Sequence, residues 1–356
     1  MMSASRVLLV AVTMGLTGCD GPGQESPAAD EGGNALAVGR SALSMVPLVE
    51  HHAHVRSVAA RDVLIDIQEA VGQEVMDEGA GGVTAGDLIA ALDSAGVDRA
   101  QVLSVAYFFG FPDVEIDNRE AGVRAENDYV AQQVALFPDR LAGACSLNPL
   151  SDYAVDEVER CADDPGLVGL KLHFANSDVD LRDPGHVALV ASVFRAAGDH
   201  DLPILVHMRT RAPDYGARDV EAFIHEVLSQ APTLPVQIAH MAGWGGYDDA
   251  TDEALATFIE AFRSGSLDRE LYTFDLAAVV IPPQRAEPDT ARVHQVTEAN
   301  ALLSARIQEL GPDRVLFATD WDVLPIGGYA EAVRETLTLT EAELADIMDN
   351  VGPFFR

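Results

Sequence analysis

The stretch that decides the reading is Val49-Glu50-His51-His52-Ala53-His54-Val55. In an extended strand, residues two apart share a face, so His52 and His54 point together while His51 and Ala53 point away. Two imidazoles converging on one point suit a first-row divalent ion, zinc foremost, but two ligands do not hold it. The rest of the chain has to supply further donors.

Outward from that stretch, short apolar runs alternate with amphipathic segments, the pattern of βα units around a parallel sheet. After the first run come 100–106, 141–147, 167–174, 202–208, 236–241, 271–276 and 315–318. Helical patterns occupy 61–75, 84–95, 119–137, 183–198, 219–230, 251–264, 299–310 and 341–348, with Thr84 as an N-cap and Gly96 as a stop. Eight units predict a single-domain α/β fold, a (β/α)8 barrel of the TIM type over residues 45–356. No Gly-rich phosphate or dinucleotide fingerprint favours an open doubly wound sheet instead.

In such a barrel the C-terminal strand ends converge on one mouth. His52 and His54 end the first run, Lys171 and His173 lie in the fourth, His207 ends the fifth, His240 ends the sixth, and Asp320 follows the eighth. His186, His200, His225 and His294 fall in helices or loops and read as solvent-facing.

Composition excludes some partners. With 57 acidic against 23 basic side chains and a formal charge of −34, the surface repels nucleic acid and anionic lipid. Residues 1–18 read as an export address: Arg6, an apolar run from Val7 to Gly15, then Leu16-Thr17-Gly18-Cys19, which resembles a bacterial lipoprotein signal. That resemblance implies lipidation at Cys19 and a protein held at the cell envelope by its lipid alone, with Asp20 favouring the inner membrane. Residues 19–44, rich in Gly, Pro, Ser and acidic side chains, read as a disordered tether. Cys145 and Cys161, in a buried strand and the next helix, are expected to be unpaired thiols.

Several segments carry a family likeness. Glu50-His51-His52-Ala53-His54, Phe137-Pro138-Asp139-Arg140, Gly169-Leu170-Lys171-Leu172-His173, Ala239-His240-Met241-Ala242-Gly243 and Gly311-Pro312-Asp313-Arg314 span the whole folded part. Together they resemble the amidohydrolase superfamily, in its amidohydrolase-related branch that includes aminocarboxymuconate semialdehyde decarboxylase and hydrolase relatives. The resemblance implies a mononuclear metal site on His52, His54, His207 and Asp320, with His240 polarising the substrate or handling a proton. It also leaves open a second ion, with Lys171 carbamylated as a bridge and His240 as a ligand. Glu50 departs from the Asp usual in the family, and Ala318-Thr319-Asp320-Trp321-Asp322 departs from the commoner Gly-Ser-Asp-aromatic-Pro.

A small-molecule substrate is expected to meet Lys171 and His173 inside, Arg209, Arg211 and Arg182 as a carboxylate clamp, and Trp244 as a wall, with Tyr107, Phe108 and Phe109 nearby. The expected activity is hydrolysis of an amide, ester or lactone by metal-bound hydroxide. Non-oxidative decarboxylation of an acidic substrate and a catalytically inactive binding lipoprotein are the alternatives.

Overall fold

The computed structural model describes residues 45–73, 75, 81–286 and 288–355. The export signal, Cys19 and the tether lie outside the described residues.

Eight parallel strands run in sequence order around one sheet. They are β1 (Val49–His54), β2 (Arg99–Leu103), β3 (Leu141–Ser146), β4 (Leu167–His173), β5 (Ile204–His207), β6 (Val236–Ile238), β7 (Tyr272–Asp275) and β8 (Val315–Leu316). The circle closes through His51 N donating to Phe317 O at 3.3 Å and Trp321 N donating to His52 O at 3.1 Å. This is the (β/α)8 barrel read from the sequence.

Among the described residues ten α-helices accompany the strands: α1 (Val58–Val71), α2 (Ala85–Ala95), α3 (Arg119–Ala135), α4 (Ala154–Ala162), α5 (Pro184–Asp199), α6 (Ala217–Ala222), α7 (Asp249–Ser264), α8 (Thr290–Leu310), α9 (Ile326–Thr336) and α10 (Glu341–Asp349). Helix α2 starts on a reciprocal capping box between Thr84 and Asp87 and stops at Gly96 in the left-handed conformation, as its sequence requires. The helical pattern at 219–230 is met in three pieces, because α6 passes into a π turn and then a 3₁₀ turn ending at Gln230. Helix α9 has no counterpart among the sequence expectations.

Strand alternation divides the side chains into two cores. On β4, Leu170 and Leu172 belong to the main apolar layer between sheet and helices, while Gly169, Lys171 and His173 share the opposite face. Inside the barrel Leu103, Ala144, Leu205 and Ala239 pack around Phe354, which arrives from the chain's end as a plug. Gly169 leaves room for that ring, since a Cβ there would strike Phe354 and come within 2.7 Å of Pro203 O.

His51 points away from the barrel axis, as the strand period requires. Its Nδ1 donates to Phe317 O at 2.9 Å and its Nε2 accepts from Gly352 N at 3.0 Å, which ties the last turn of the chain to β1. Burial lowers its pKa to about 4, so the ring is neutral.

The expectation of free thiols is corrected. Cys145 on β3 and Cys161 on α4 form a disulfide, with their Cα atoms 6.2 Å apart. Strand and following helix pack face to face, so residues 16 apart in sequence come within bonding reach.

Candidate active site

His52, His54, Lys171, His173, His207, His240 and Asp320 all line one cavity at the C-terminal mouth, together with Tyr107, Trp244, Gly245, Ala278 and Val323. The cavity has a volume of about 100 Å³. Every inward residue expected from the sequence is therefore brought to one place.

The ring protons are placed by acceptors. His54 Nδ1 donates to Leu103 O at 3.0 Å, His240 Nδ1 to Ala277 O at 2.7 Å, and His52 Nδ1 to Asp275 Oδ2 at 3.2 Å. A carbonyl or carboxylate oxygen can only accept, so in each neutral ring the Nε2 lone pair is left facing the cavity. The Nε2 atoms of His52 and His54 stand 3.4 and 3.3 Å from Asp320 Oδ1. Donor atoms of His52, His240 and Asp320 lie within 4.8 Å of one another. His207 sits on the opposite wall, its ring stacked on His173 at 3.9 Å and 4.7 Å from the ring of His240.

Electrostatics agree with this arrangement. Burial holds the pKa values of His52, His173 and His207 well below the usual imidazole range, with Lys171 adding to the effect. Asp320 is pushed upward by burial, but the imidazoles around it outweigh this and hold it well below the ordinary carboxylate range. Neutral imidazoles beside an ionised carboxylate are the protonation state a divalent cation needs. His207 Nε2 is buried without a hydrogen-bond partner among the described residues, which fits a donor reserved for a metal. The donor set thus fits a divalent ion.

Lys171 is the single lysine of the sequence, all other Lys-or-Arg cations being arginine. It is 1 % exposed, and its Nζ donates to His52 Nε2 at 3.1 Å. Burial lowers its pKa to about 8.

The arginine clamp is not brought into the cavity. Arg209 pairs with Asp248 at 2.9 Å and lies over the Trp244 ring at 4.9 Å. Arg211 pairs with Asp113 at 2.7 Å and donates to Ala175 O at 2.7 Å. Arg182 pairs with Asp214 and Asp219 at 2.7 and 2.9 Å. An aspartate reaches each guanidinium first, so these arginines brace the rim. Of the aromatic residues after β2, Tyr107 reaches the cavity.

Two buried carboxylates near the site drew little or no notice in the sequence. Glu50 accepts from His52 N at 2.9 Å and Thr319 N at 3.0 Å, joining β1 to the turn after β8, and burial raises its pKa to about 8. Asp275 ends β7 and receives four N–H donors. The available signal was its position, a carboxylate closing a strand in Tyr272-Thr273-Phe274-Asp275, as Asp320 follows another. In the altered turn after Asp320, Asp322 takes a two-point ion pair from Arg56 at 2.8 and 2.6 Å.

A family model described as amidohydrolase matches residues 50–350. The chain belongs to the amidohydrolase family.

A curated relative, gamma-resorcylate decarboxylase of Polaromonas sp., is 25 % identical over 241 residues, covering 62 % of this chain and 71 % of the relative. Among solved structures, 5-carboxyvanillate decarboxylase of Sphingomonas paucimobilis superposes with a TM-score of 0.59 at 21 % identity, over 85 % of this chain and 96 % of that one. The corresponding enzyme of Novosphingobium aromaticivorans, solved with bound manganese and 3-methoxy-4-hydroxy-5-nitrobenzoic acid, gives 0.59 at 14 % identity over 86 % and 96 %. At these identities the two structures speak for the fold. The expectation of a hydrolase acting on an amide, ester or lactone is corrected by the decarboxylase relative. The residues read from the sequence were compatible with either chemistry and did not separate them.

Proposed function

We propose that this amidohydrolase-family chain is a metal-dependent, non-oxidative decarboxylase of a small hydroxylated aromatic carboxylate. The observation that carries the reading is Lys171, a buried lysine beside the candidate metal donors, in a cavity walled by Tyr107, His173 and Trp244. A flat anion fits that combination of charge and ring faces. The relationship to gamma-resorcylate decarboxylase supports the same class.

His52, His54, His207 and Asp320 would hold one divalent ion, manganese or zinc. Bound there, the ion supplies a Lewis acid that draws charge from the substrate's oxygens. Lys171 binds the substrate's anionic group as an unmodified amine, while Tyr107 and Trp244 flank the ring. The net change replaces a carbon–carboxylate bond with a carbon–hydrogen bond: carbon dioxide leaves and one proton enters at the same carbon. His240 is placed to pass that proton, because its Nε2 faces the cavity while Nδ1 stays on Ala277 O.

The test loads the purified chain with Mn²⁺ or Zn²⁺ and offers a panel of hydroxybenzoates. Carbon dioxide released one-for-one with loss of carboxylate is expected. No carbon dioxide from any member, alongside turnover of esters or amides, contradicts the reading.

We further infer that the protein acts at the bacterial envelope through a lipid on Cys19. The Cys145–Cys161 disulfide supports an exported chain, since such bonds persist mainly outside the reducing cytosol. Among the described residues no helix is long and apolar enough to cross a membrane. A chain whose Cys19→Ser variant stays in the membrane fraction would contradict the anchor.

A further inference from the structure

We propose that Asp275 is a positioning residue that sets the reactive geometry of two site histidines at once, one through each carboxylate oxygen. The inference rests on the metal-dependent reading of this site.

Asp275 is fully buried at the end of β7. Its Oδ2 accepts from His52 Nδ1 at 3.2 Å and from Gln237 Nε2 at 2.8 Å. Its Oδ1 accepts from two backbone amides, His240 N at 2.8 Å and Ala277 N at 3.2 Å. Gln237 Nε2 and the two backbone amides can only donate, so both oxygens are held as acceptors.

The first oxygen keeps the ring proton of His52 on Nδ1. The Nε2 lone pair is thereby free for a cation, and Lys171 Nζ, donating to Nε2 at 3.1 Å, is consistent with that tautomer.

The second oxygen holds a costly backbone. His240, Met241 and Ala242 are three successive non-glycine residues with φ of 53°, 53° and 72°. Side chains with a Cβ rarely adopt this left-handed backbone, so the run persists only where its surroundings fix it. Asp275 Oδ1 on His240 N and Tyr215 Oη donating to Ala242 O at 2.8 Å hold its two ends. The turn aims the His240 ring across the cavity, 4.8 Å from that of His52.

Asp275→Asn separates positioning from simple filling of space. An amide has one acceptor atom, its oxygen, and one donor atom, its nitrogen. The backbone amides of His240 and Ala277 cannot give up their protons, so the oxygen must stay with them and the NH₂ must face His52. The ring relieves the clash by moving its proton from Nδ1 to Nε2, which removes the lone pair from the cavity.

The experiment records ring ¹⁵N NMR on metal-free wild type and Asp275→Asn, and titrates both with Mn²⁺. The expected result is a His52 proton on Nδ1 in wild type and on Nε2 in the variant, with Mn²⁺ affinity lowered roughly 10- to 100-fold at unchanged fold. An unchanged tautomer with affinity within about twofold overturns the proposal, the usual effect of disturbing such a partner being tenfold or more. If the variant does not fold, the wild-type spectrum decides alone, and a His52 proton on Nε2 overturns it. Failure of the decarboxylase reading would appear separately, as absent carbon dioxide release from a chain that still binds metal.

Discussion

His51 and Gly352 are joined across 301 positions of sequence, Gly352 N donating to His51 Nε2 at 3.0 Å. The histidine beside the metal donors thus serves the fold while its neighbours serve the site. A Cβ on residue 352 would lie 2.9 Å from His51 Cδ2 and 3.0 Å from Leu316 Cδ1, closer than packed atoms tolerate. Gly352→Ala is expected to cost about 1–3 kcal/mol in urea unfolding. Metal content of the folded fraction should be unchanged, because the His51 ring faces away from the cavity; loss of metal without loss of stability would refute this division of labour.

Lys171→Met keeps the length of the side chain and removes its only charge. Losing a charge-assisted bond of about 1.5–3 kcal/mol should lower kcat/KM roughly 10- to 100-fold. Since no other lysine is present, carbamate or amine-labelling chemistry on side chains reports on this group alone. A variant with unchanged kcat/KM would remove Lys171 from substrate binding.

The rim arginines should matter little. Arg211→Gln breaks an ion pair to Asp113 that is largely exposed on the acidic side. Stability is expected to fall by no more than about 1 kcal/mol and kcat/KM to stay within about twofold. A tenfold rise in KM would restore the carboxylate clamp expected from the sequence.

Acid sensitivity of the outer helices follows from two capping boxes. Hydrogen bonds from Thr84 lower the pKa of Asp87 below 3.8, and those from Thr340 lower that of Glu343 below 4.5. A depressed carboxylate stabilises the fold above its unfolded pKa and loses that contribution as pH falls through the folded value. Stability should therefore decline below about pH 4.5 for α10 and below about 3.8 for α2, the carboxylate reference range. Thr84→Ala should cost about 1 kcal/mol at neutral pH and less in acid, by denaturant titration at both pH values. A cost that grows in acid would contradict the caps.

Reducing the Cys145–Cys161 bond opens a loop of separation 16, for which chain entropy predicts about 3 kcal/mol of lost stability. Thermal unfolding with and without reductant measures this. An unchanged midpoint would mean the bond adds nothing.

The barrel was legible because its period is local: apolar runs, the Thr84 cap and the Gly96 stop each announce themselves within a few residues. The convergence of His52, His54, His207, His240 and Asp320 on one cavity was legible because all sit at or just beyond strand ends. Asp275 was not singled out, being one carboxylate among 57 acidic residues; its strand-end position was the one local signal, and its role shows once β7 lies beside β6 and faces β1 across the barrel. The disulfide depended on how α4 packs on β3, and the fate of the arginines on which acidic side chain stands nearest, neither of which spacing encodes. The readable residues suited a hydrolase and a decarboxylase alike, so the choice between them lay outside them.

The central claim is that side chains from β1, β5 and the turn after β8 share one cation. Calorimetric titration of Mn²⁺ or Zn²⁺ into chelator-treated protein tests it most directly. One tight site per chain is expected, abolished by His207→Ala and by Asp320→Ala in proteins that remain folded. Absence of binding in the wild type, or binding that survives both substitutions, would contradict it.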